Sequence, residues 1–323
     1  MSLLTDVHLL EIYRLLLMAR RLEESFGDMH SYHPAIGEEA VVVGSFFGLQ
    51  ENDYIAPHYR GALTAAYMRG ADLRRLIAGV HGKATAYNGG RFRGDICMPI
   101  EFNVIGMFSG ILGSSVGLAV GAALSLKLRG SSNVAIATFG EGTSNLGGIH
   151  EAINLAASLV LPIVFVCQNN QYAMSMNSRE AMKCKSVADR ALGYGIPGAQ
   201  VDGNDVLSVH AEVQAAVRRA RSGAGPTLIE ALTYRVGGHR SGERVLYQDA
   251  EERQRWQGMD PLLRLQDGLR ERGLLDEPAI EEANITVSRE LKEAISLAES
   301  DPEPPNIVGR PEDVFAPSVK DTQ

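Results

Sequence analysis

Two short apolar runs bound the most regular stretch of this chain. Residues 133–139 (NVAIATF) and 163–167 (IVFVC) have the length and continuous hydrophobicity of strands buried on both faces of a parallel sheet. Between them, apolar side chains recur with the spacing of one helical face, at Ile149, Ala152, Ile153, Ala156, Ala157 and Val160. The pattern predicts a βαβ unit whose two strands end at the same edge of a sheet.

The remaining sequence continues the alternation of helices and strands. Residues 227–232 form another strand-like run, turn residues occur at Pro197-Gly198 and Asp202-Gly203-Asn204, and helical patterns cover residues 1–26, 207–222, 260–272 and 278–300. We expect an α/β fold with a mostly parallel sheet, helices on both faces and a helical C-terminal extension. We divide it into an N-terminal helix (1–30), an α/β domain (31–248) and a C-terminal helical extension with a tail (249–323).

Composition narrows the classes of partner. The 323 residues carry a net charge of −8, with 45% hydrophobic and 22% charged residues, which is ordinary globular usage. A nucleic-acid surface would need a basic patch, so we expect no nucleic acid. No apolar run reaches 18 residues and no signal peptide is recognisable, so we expect no membrane association and a cytoplasmic location. The three cysteines have no Cys-x-x-Cys spacing, which argues against disulfides and a zinc site.

Polar residues follow both strands of the βαβ unit. Gly140-Glu141-Gly142 comes after the first strand, and Asn169-Asn170 after the second. Mg²⁺ prefers oxygen ligands, often carboxylates or amides together with phosphate oxygens. Glu141, the side-chain oxygen of Asn170 and a backbone carbonyl near Tyr172 can supply such ligands, while backbone N–H groups from Gly142 to Asn145, including Thr143, can face phosphates. We therefore predict a magnesium diphosphate site.

Several segments together indicate a family. The paired loops resemble the Gly-Asp-Gly and Asn-Asn signature of thiamine diphosphate enzymes, and residues 140–175 are similar to the alpha subunits of 2-oxo acid dehydrogenases (pyruvate, branched-chain and acetoin dehydrogenases). Residues 33–40 (HPAIGEEA) resemble the family's His-x-x-x-Gly-Gln-Glu-Ala segment. Further matches are His58-Tyr59-Arg60-Gly61, Gly110-Ile111-Leu112-Gly113, Tyr234 to His239 (YRVGGH) and Asp301 to Pro305 (DPEPP).

The resemblance assigns roles to individual residues. It implies thiamine diphosphate and Mg²⁺ as cofactors, with His33 and His239 as catalytic residues near the thiazolium and the substrate carboxylate. The cofactor-binding residues that it implies are Tyr59, Arg60, Gly110, Leu112, Gly140, Glu141, Gly142, Thr143, Asn170, Arg235 and His239, and the metal ligands are Glu141, Asn170 and Tyr172. Core packing is an alternative for Leu112 and for Met174, a second candidate for shaping the bend between the cofactor's rings. The polar segment 240–256 corresponds to a loop that in the family closes over the site.

This chain also departs from the family pattern. Glu141 replaces the usual aspartate, Gln168 replaces a frequent acid before Asn-Asn, and Gly237 stands where some members have histidine. No histidine follows Arg60, and residues 93–98 differ from the family's Gly-Gly-Ser-Met-His segment. We interpret the chain as a divergent member whose substrate and acyl acceptor are open.

The resemblance predicts a shared active site. In the family the glutamate that activates the pyrimidine lies on the beta subunit, so we expect a beta subunit as partner in an α2β2 assembly. A 2-oxo acid is the implied substrate, and a lipoyl-bearing acyltransferase is a further candidate partner. Two alternatives stay open: a thiamine-diphosphate-dependent carboligase or transketolase-like enzyme, and a degenerate non-catalytic homologue that stabilises a partner.

Overall fold

A five-stranded parallel sheet forms the centre of the protein. The computed structural model describes residues 4–27, 29, 32–91, 99–105 and 111–305. The sheet has the order β1-β2-β3-β7-β6, and every neighbouring pair is parallel. Its strands are β1 (Tyr54–Ala56), β2 (Ala135–Gly140), β3 (Ile163–Asn169), β6 (Gly198–Asp202) and β7 (Thr227–Leu232). A separate antiparallel hairpin joins β4 (Tyr172–Ala173) to β5 (Met176–Asn177).

Helices cover both faces of the sheet. Within the described residues they are α1 (Asp6–Ser25), α2 (Glu39–Phe46), α3 (Ala62–Met68), α4 (Leu73–Val80), α5 (Ser114–Leu128), α6 (Gly147–Ser158), α7 (Ser178–Ala181), α8 (Ala191–Tyr194), α9 (Val206–Arg221), α10 (Ala250–Gln257), α11 (Pro261–Glu271) and α12 (Glu277–Glu299). None of these helices is both long enough and apolar enough to span a bilayer. The α/β fold with a helical C-terminal part is confirmed.

Alternation along the strands explains why both faces need helices. Val164 and Val166 of β3 point into a core that includes α1, α2 and α9, while Phe165 and Cys167 point into a second core with α5 and α6. All seven residues of β3 are buried. The continuous apolar run therefore reflects a strand with two hydrophobic faces, as predicted.

The first helix and the C-terminal helices pack together. Helix α12 contacts both α1 and α4, and α11 contacts α1 and α2. Leu16 on α1 and Val287 on α12 are fully buried in the same core. Helices from both ends of the described chain therefore pack into the same core. The domain division at residues 30 and 248 stays a prediction.

Two segments differ from a simple reading of the sequence. The stretch between the turns at Pro197-Gly198 and Asp202-Gly203-Asn204 forms edge strand β6, whose side chains are at most half-buried, so it lacks an apolar run. The end of the polar segment 240–256 forms helix α10, which begins at the cap residue Asp249, whose side chain accepts from Glu252 N.

Candidate functional site

The carboxyl ends of three neighbouring strands bring the predicted site residues together. In the sheet register Gly140 is paired with Gln168, and Asn169 is paired with Leu232. Glu141, Asn170 and Arg235 lie just beyond these ends. Parallel α/β sheets bind ligands at this edge, so the register alone places a carboxylate, an amide and a guanidinium around one crevice.

Glu141 and Asn170 are in contact at the crevice. Both side chains are almost fully buried, and the backbone N–H of Asn170 donates to Glu141 Oε2 at 3.3 Å. Burial, together with the nearby carboxylate of Glu38, raises the pKa of Glu141 to about 7. A buried carboxylate of this kind is stabilised by a cation, which agrees with the predicted metal ligand.

Backbone carbonyls of the loop after Asn170 accept hydrogen bonds from the guanidinium of Arg235. Gln171 (φ 73°) and Met174 (φ 55°) both have positive φ, a conformation that costs energy in residues other than glycine and often occurs at functional sites. Arg235 donates from Nη1 to Tyr172 O at 2.8 Å and from Nη2 to Met174 O at 2.5 Å. The predicted metal-ligand carbonyl of Tyr172 and the predicted phosphate-binding Arg235 are therefore neighbours.

The glycine turn packs tightly against that loop. A Cβ on Gly142 would lie 2.5 Å from Ala173 Cβ, so only glycine allows this approach. Thr143 begins a short 3₁₀ turn (Thr143–Asn145) that leads into α6, and no side chain caps the start of α6 at Leu146. The N-terminal N–H groups of α6 therefore have no side-chain acceptor, which suits an anionic ligand.

A cluster of aromatic rings lies beside the crevice. The rings of His33 and His239 approach with centroids 4.9 Å apart, and His33 lies 5.1 Å from the ring of Tyr59. His58 stacks near Tyr59 at 4.1 Å. The structure thus unites two histidines that are more than 200 positions apart in sequence.

Arg60 links the two chain segments that carry the histidines, because it contacts both Pro34 and His239. Its Nη1 donates to Pro34 O at 2.9 Å, and its Nη2 donates to His239 O at 2.7 Å and lies 3.1 Å from His239 Nδ1. Burial, together with the charges of Arg60, His33 and Arg235, lowers the pKa of His239 to about 4. Because Arg60 can only donate, Nδ1 of a neutral His239 is the acceptor and Nε2 carries the proton.

The segment after His239 folds back over the site. The carboxylate of Glu243 accepts from the backbone N–H of His239 and, at 3.3 Å, from Tyr247 OH. Tyr247 OH in turn accepts from Arg235 Nη2 at 2.9 Å, and Gln248 Nε2 donates to Arg235 O at 2.7 Å. This segment therefore fixes both the candidate catalytic histidine and the candidate phosphate-binding arginine.

Three contributors were not among the predicted site residues: Glu38, His58 and Glu243. Glu38 is fully buried, accepts from the side chains of Gln168 and Asn170, and lies 3.9 Å from Arg60 Nε. Burial, together with the charge of Arg60, lowers the pKa of His58 to about 3. Glu38 lies in the family-like segment 33–40, and His58 begins the segment His58-Tyr59-Arg60-Gly61. Their position beside predicted site residues in these segments was the sequence feature that could have identified them.

Leu112 and Met174 are not core residues. Leu112 is 51% exposed and Met174 is 64% exposed, so the core-packing alternative does not hold for either. Leu146, which follows the glycine turn, is exposed as well. Gly110, the remaining predicted contact, lies outside the described residues.

The described residues contain no cluster of charged or sulfur-bearing side chains that could hold a metal ion by itself. Over the ranges that the structure describes, no group of three or more His, Cys, Asp or Glu is arranged to hold a metal ion. The predicted magnesium site is of a different kind, because it combines one carboxylate, one amide and one backbone carbonyl, and needs phosphate oxygens to be complete.

A parallel sheet with buried polar groups just beyond three strand ends defines the class, an α/β protein with the kind of sheet edge at which anionic cofactors bind. The chain belongs to the dehydrogenase E1 component family, whose model matches residues 9–307. Members of this family depend on thiamine diphosphate. The family resemblance inferred from the motifs is thereby confirmed.

Relatives cover nearly the whole chain. The 2-oxoisovalerate dehydrogenase subunit alpha of Bacillus subtilis is 37% identical, over 93% of this chain and 93% of the relative. The alpha subunit of acetoin:2,6-dichlorophenolindophenol oxidoreductase from the same organism is 34% identical over 93% and 92%. The pyruvate dehydrogenase E1 component subunit alpha of Rhizobium meliloti is 34% identical over 91% and 86%.

Proposed function

We propose that this chain is the alpha subunit of a thiamine-diphosphate-dependent 2-oxo acid dehydrogenase that decarboxylates a 2-oxo acid and passes on the acyl unit. The observation that carries the proposal is the meeting of Glu141, Asn170 and Arg235 at one sheet edge, beside His33 and His239. The family match and the names of the relatives support the same reaction class.

The residues present fit magnesium and a diphosphate. Glu141 Oε, Asn170 Oδ1 and Tyr172 O are the proposed metal ligands, and the buried carboxylate of Glu141 gains a cationic partner when the metal binds. Gly140, Gly142 and Thr143 would hold phosphate oxygens through backbone N–H groups, with Arg235 as a charged donor.

Two residues extend the proposed cofactor site beyond the diphosphate. Tyr59 lies beside the histidines, and Leu112 is an exposed apolar side chain suited to contact the cofactor's rings. Gly110 stays a predicted main-chain contact. Arg60, which the resemblance implied as a phosphate ligand, is proposed to orient His239 instead, because its donors face Pro34 O and His239.

When bound, thiamine diphosphate supplies the carbanion chemistry that releases carbon dioxide from a 2-oxo acid. The chain's own contribution is to orient the substrate and to hold protons. Neutral His239 offers its Nε2 proton as a donor to a substrate oxygen, and Arg60 keeps that tautomer by facing Nδ1. His33, whose ring packs edge-on against His239, is the second proposed proton-holding group.

A beta subunit is the proposed partner. The relatives are named as alpha subunits. The apolar side chains of Leu112, Leu146 and Met174, which lie in or close to the predicted site segments in sequence, are exposed. We propose that the partner covers this edge in an α2β2 assembly and completes the pocket. A lipoyl-bearing acyltransferase is the proposed recipient of the acyl unit.

The proposal is tested by assaying the chain co-produced with its beta subunit. Release of carbon dioxide from pyruvate, 2-oxoisovalerate and related 2-oxo acids is measured with an artificial electron acceptor. The expected result is turnover that requires both Mg²⁺ and thiamine diphosphate. Bound cofactor without carbon dioxide release from any 2-oxo acid in the panel would contradict the proposed reaction.

A further inference from the structure

Two departures from the family pattern lie in direct contact. Glu38 stands where the family segment has glutamine, and Gln168 stands where an acid is frequent. In the structure Gln168 Nε2 donates to Glu38 Oε2 at 2.5 Å, although the two residues are 130 positions apart. Compared with the family pattern, the acid and the amide have exchanged positions. The contact between them is still a hydrogen bond between a carboxylate and an amide.

The second oxygen of Glu38 reaches a proposed metal ligand. Glu38 Oε1 accepts from Asn170 Nδ2 at 2.9 Å. An ionised carboxylate only accepts hydrogen bonds, so it forces the facing amide to present its NH₂ group. Asn170 Oδ1 is then directed to the other side, where it accepts from Tyr172 N at 3.2 Å and keeps a lone pair for another partner.

We propose that Glu38 is a positioning residue that sets the amide orientation of Asn170 and so keeps Oδ1 available to the metal, with Gln168 holding Glu38 in place. The inference rests on the proposed function, because Asn170 ligates only when Mg²⁺ and thiamine diphosphate bind. Loss of a hydrogen bond that orients a metal ligand typically lowers metal affinity about 10- to 100-fold. A glutamine at position 38 beside Gln168 could turn either its oxygen or its nitrogen to Asn170, so the orientation would no longer be fixed.

The neighbouring asparagine provides a matched control. Glu230 is also fully buried and accepts from Asn169 Nδ2 at 2.7 Å and from Gln200 Nε2 at 3.0 Å. Asn169 Oδ1, however, accepts from both N and Nε2 of Gln171, at 3.1 and 3.2 Å. Both of its lone pairs are used within the loop. Glu230 is therefore a buried carboxylate that also accepts from an asparagine and a glutamine, but it has no metal ligand to orient.

The experiment compares E38Q, Q168E, the double variant E38Q/Q168E and E230Q, each co-produced with the beta subunit. Mg²⁺ is titrated calorimetrically at saturating thiamine diphosphate, and thermal unfolding is followed without cofactor. We expect E38Q to weaken Mg²⁺ binding about 10-fold or more, and Q168E, which puts two carboxylates in contact, to weaken it further. The double variant should return to within about threefold of the native affinity, because it restores one acid and one amide. E230Q should lower the unfolding temperature but leave Mg²⁺ affinity unchanged.

Three results would overturn the inference: native Mg²⁺ affinity in E38Q, a double variant no better than the weaker single variant, or an equal loss in E230Q. If neither single variant folds, a double variant that folds with near-native affinity supports it, and one that does not fold contradicts it. Native protein that binds no Mg²⁺ with thiamine diphosphate would contradict the proposed function as well, whereas normal native binding with an unaffected E38Q overturns the inference alone.

Discussion

Arg60 holds His239 through two atoms at once: Nη2 donates to His239 O at 2.7 Å and lies 3.1 Å from Nδ1 of the same residue. A lysine cannot reproduce this geometry, because its ammonium is a single point on a flexible stem. We expect R60K to lower kcat about 10- to 100-fold, the usual scale for a residue that orients a reacting group. The affinity for thiamine diphosphate should change by less than about threefold, since Arg235 supplies the diphosphate donor.

The matched control for R60K is R221K. Arg221 also pairs with buried groups, donating to Asp53 Oδ2 at 2.7 Å, but it lies at the opposite edge of the sheet. Its replacement should leave kcat unchanged. A loss of cofactor affinity in R60K as large as the loss in kcat would show that Arg60 acts as a phosphate ligand instead.

His239 is expected to be needed for turnover but not for cofactor binding. We predict that H239A lowers kcat by about 10² to 10⁴, the range of general acid–base catalysis, because the Nε2 proton is lost. Calorimetry should still detect thiamine diphosphate bound with Mg²⁺. H210A is the control: His210 lies on α9, is partly buried and also has a lowered pKa. Turnover by H239A equal to that of H210A would remove His239 from the site.

Gly37 determines how closely the His33 loop approaches β7. Its φ is 93°, and a Cβ there would lie 2.8 Å from both Tyr234 O and Val236 Cγ2. Gly82 has a similar φ of 69°, but a Cβ there would meet nothing within 4 Å. We expect G82A to destabilise by about 1–2 kcal/mol through backbone strain alone, and G37A to cost about 1–3 kcal/mol more and to reduce activity.

Urea unfolding of both glycine variants, together with kcat, checks this prediction. The comparison isolates the clash, because both variants place alanine in the left-handed region. Equal stability and equal activity of G37A and G82A would show that the segment after β7 can move away without consequence.

Glu23 is expected to make stability depend on pH. It is fully buried on α1 and accepts from Ala35 N at 3.0 Å, and burial raises its pKa to about 8. A carboxyl whose pKa is raised on folding contributes its full stability below the unfolded pKa of about 4.5, and this contribution falls as pH rises towards 8. The loss amounts to about 1.4 kcal/mol per pH unit within that window.

E23Q should remove this dependence, because glutamine does not titrate. The measurement is the free energy of unfolding at pH 5.5, 7 and 8.5 for the native protein and for E23Q. We expect the native protein to lose stability relative to E23Q as pH rises. A constant difference across the three pH values would mean that Glu23 is not protonated in the folded protein.

The sheet core was predictable because its strands are buried on both faces. Continuous apolar runs predicted β2 and β3, and the strand predicted at residues 227–232 forms β7 with those bounds. Edge strand β6 has no such run, since only one neighbour covers it. Helix α2 contains Val41, Val42 and Val43, which favour strands locally, and its helical state follows from packing against α9.

The site was predictable where it follows strand ends, and less so where it depends on long-range contacts. Glu141 and Asn170 come directly after buried strands, so a short-range pattern was enough. The orientation of Asn170 depends on Glu38, which is 132 positions away. The engagement of Arg60 with His239 joins residues 179 positions apart. Such pairings arise from the fold, and no local spacing encodes them.

Calorimetric titration of thiamine diphosphate with Mg²⁺ tests the central claim most directly. The chain is titrated alone and after co-production with its beta subunit. The account predicts Mg²⁺-dependent binding in the assembled sample and much weaker binding, or none, to the chain alone, because the beta subunit is proposed to complete the pocket and the apolar side chains of Leu112 and Met174 are exposed without it. Absence of Mg²⁺-dependent binding in the assembled sample would contradict it.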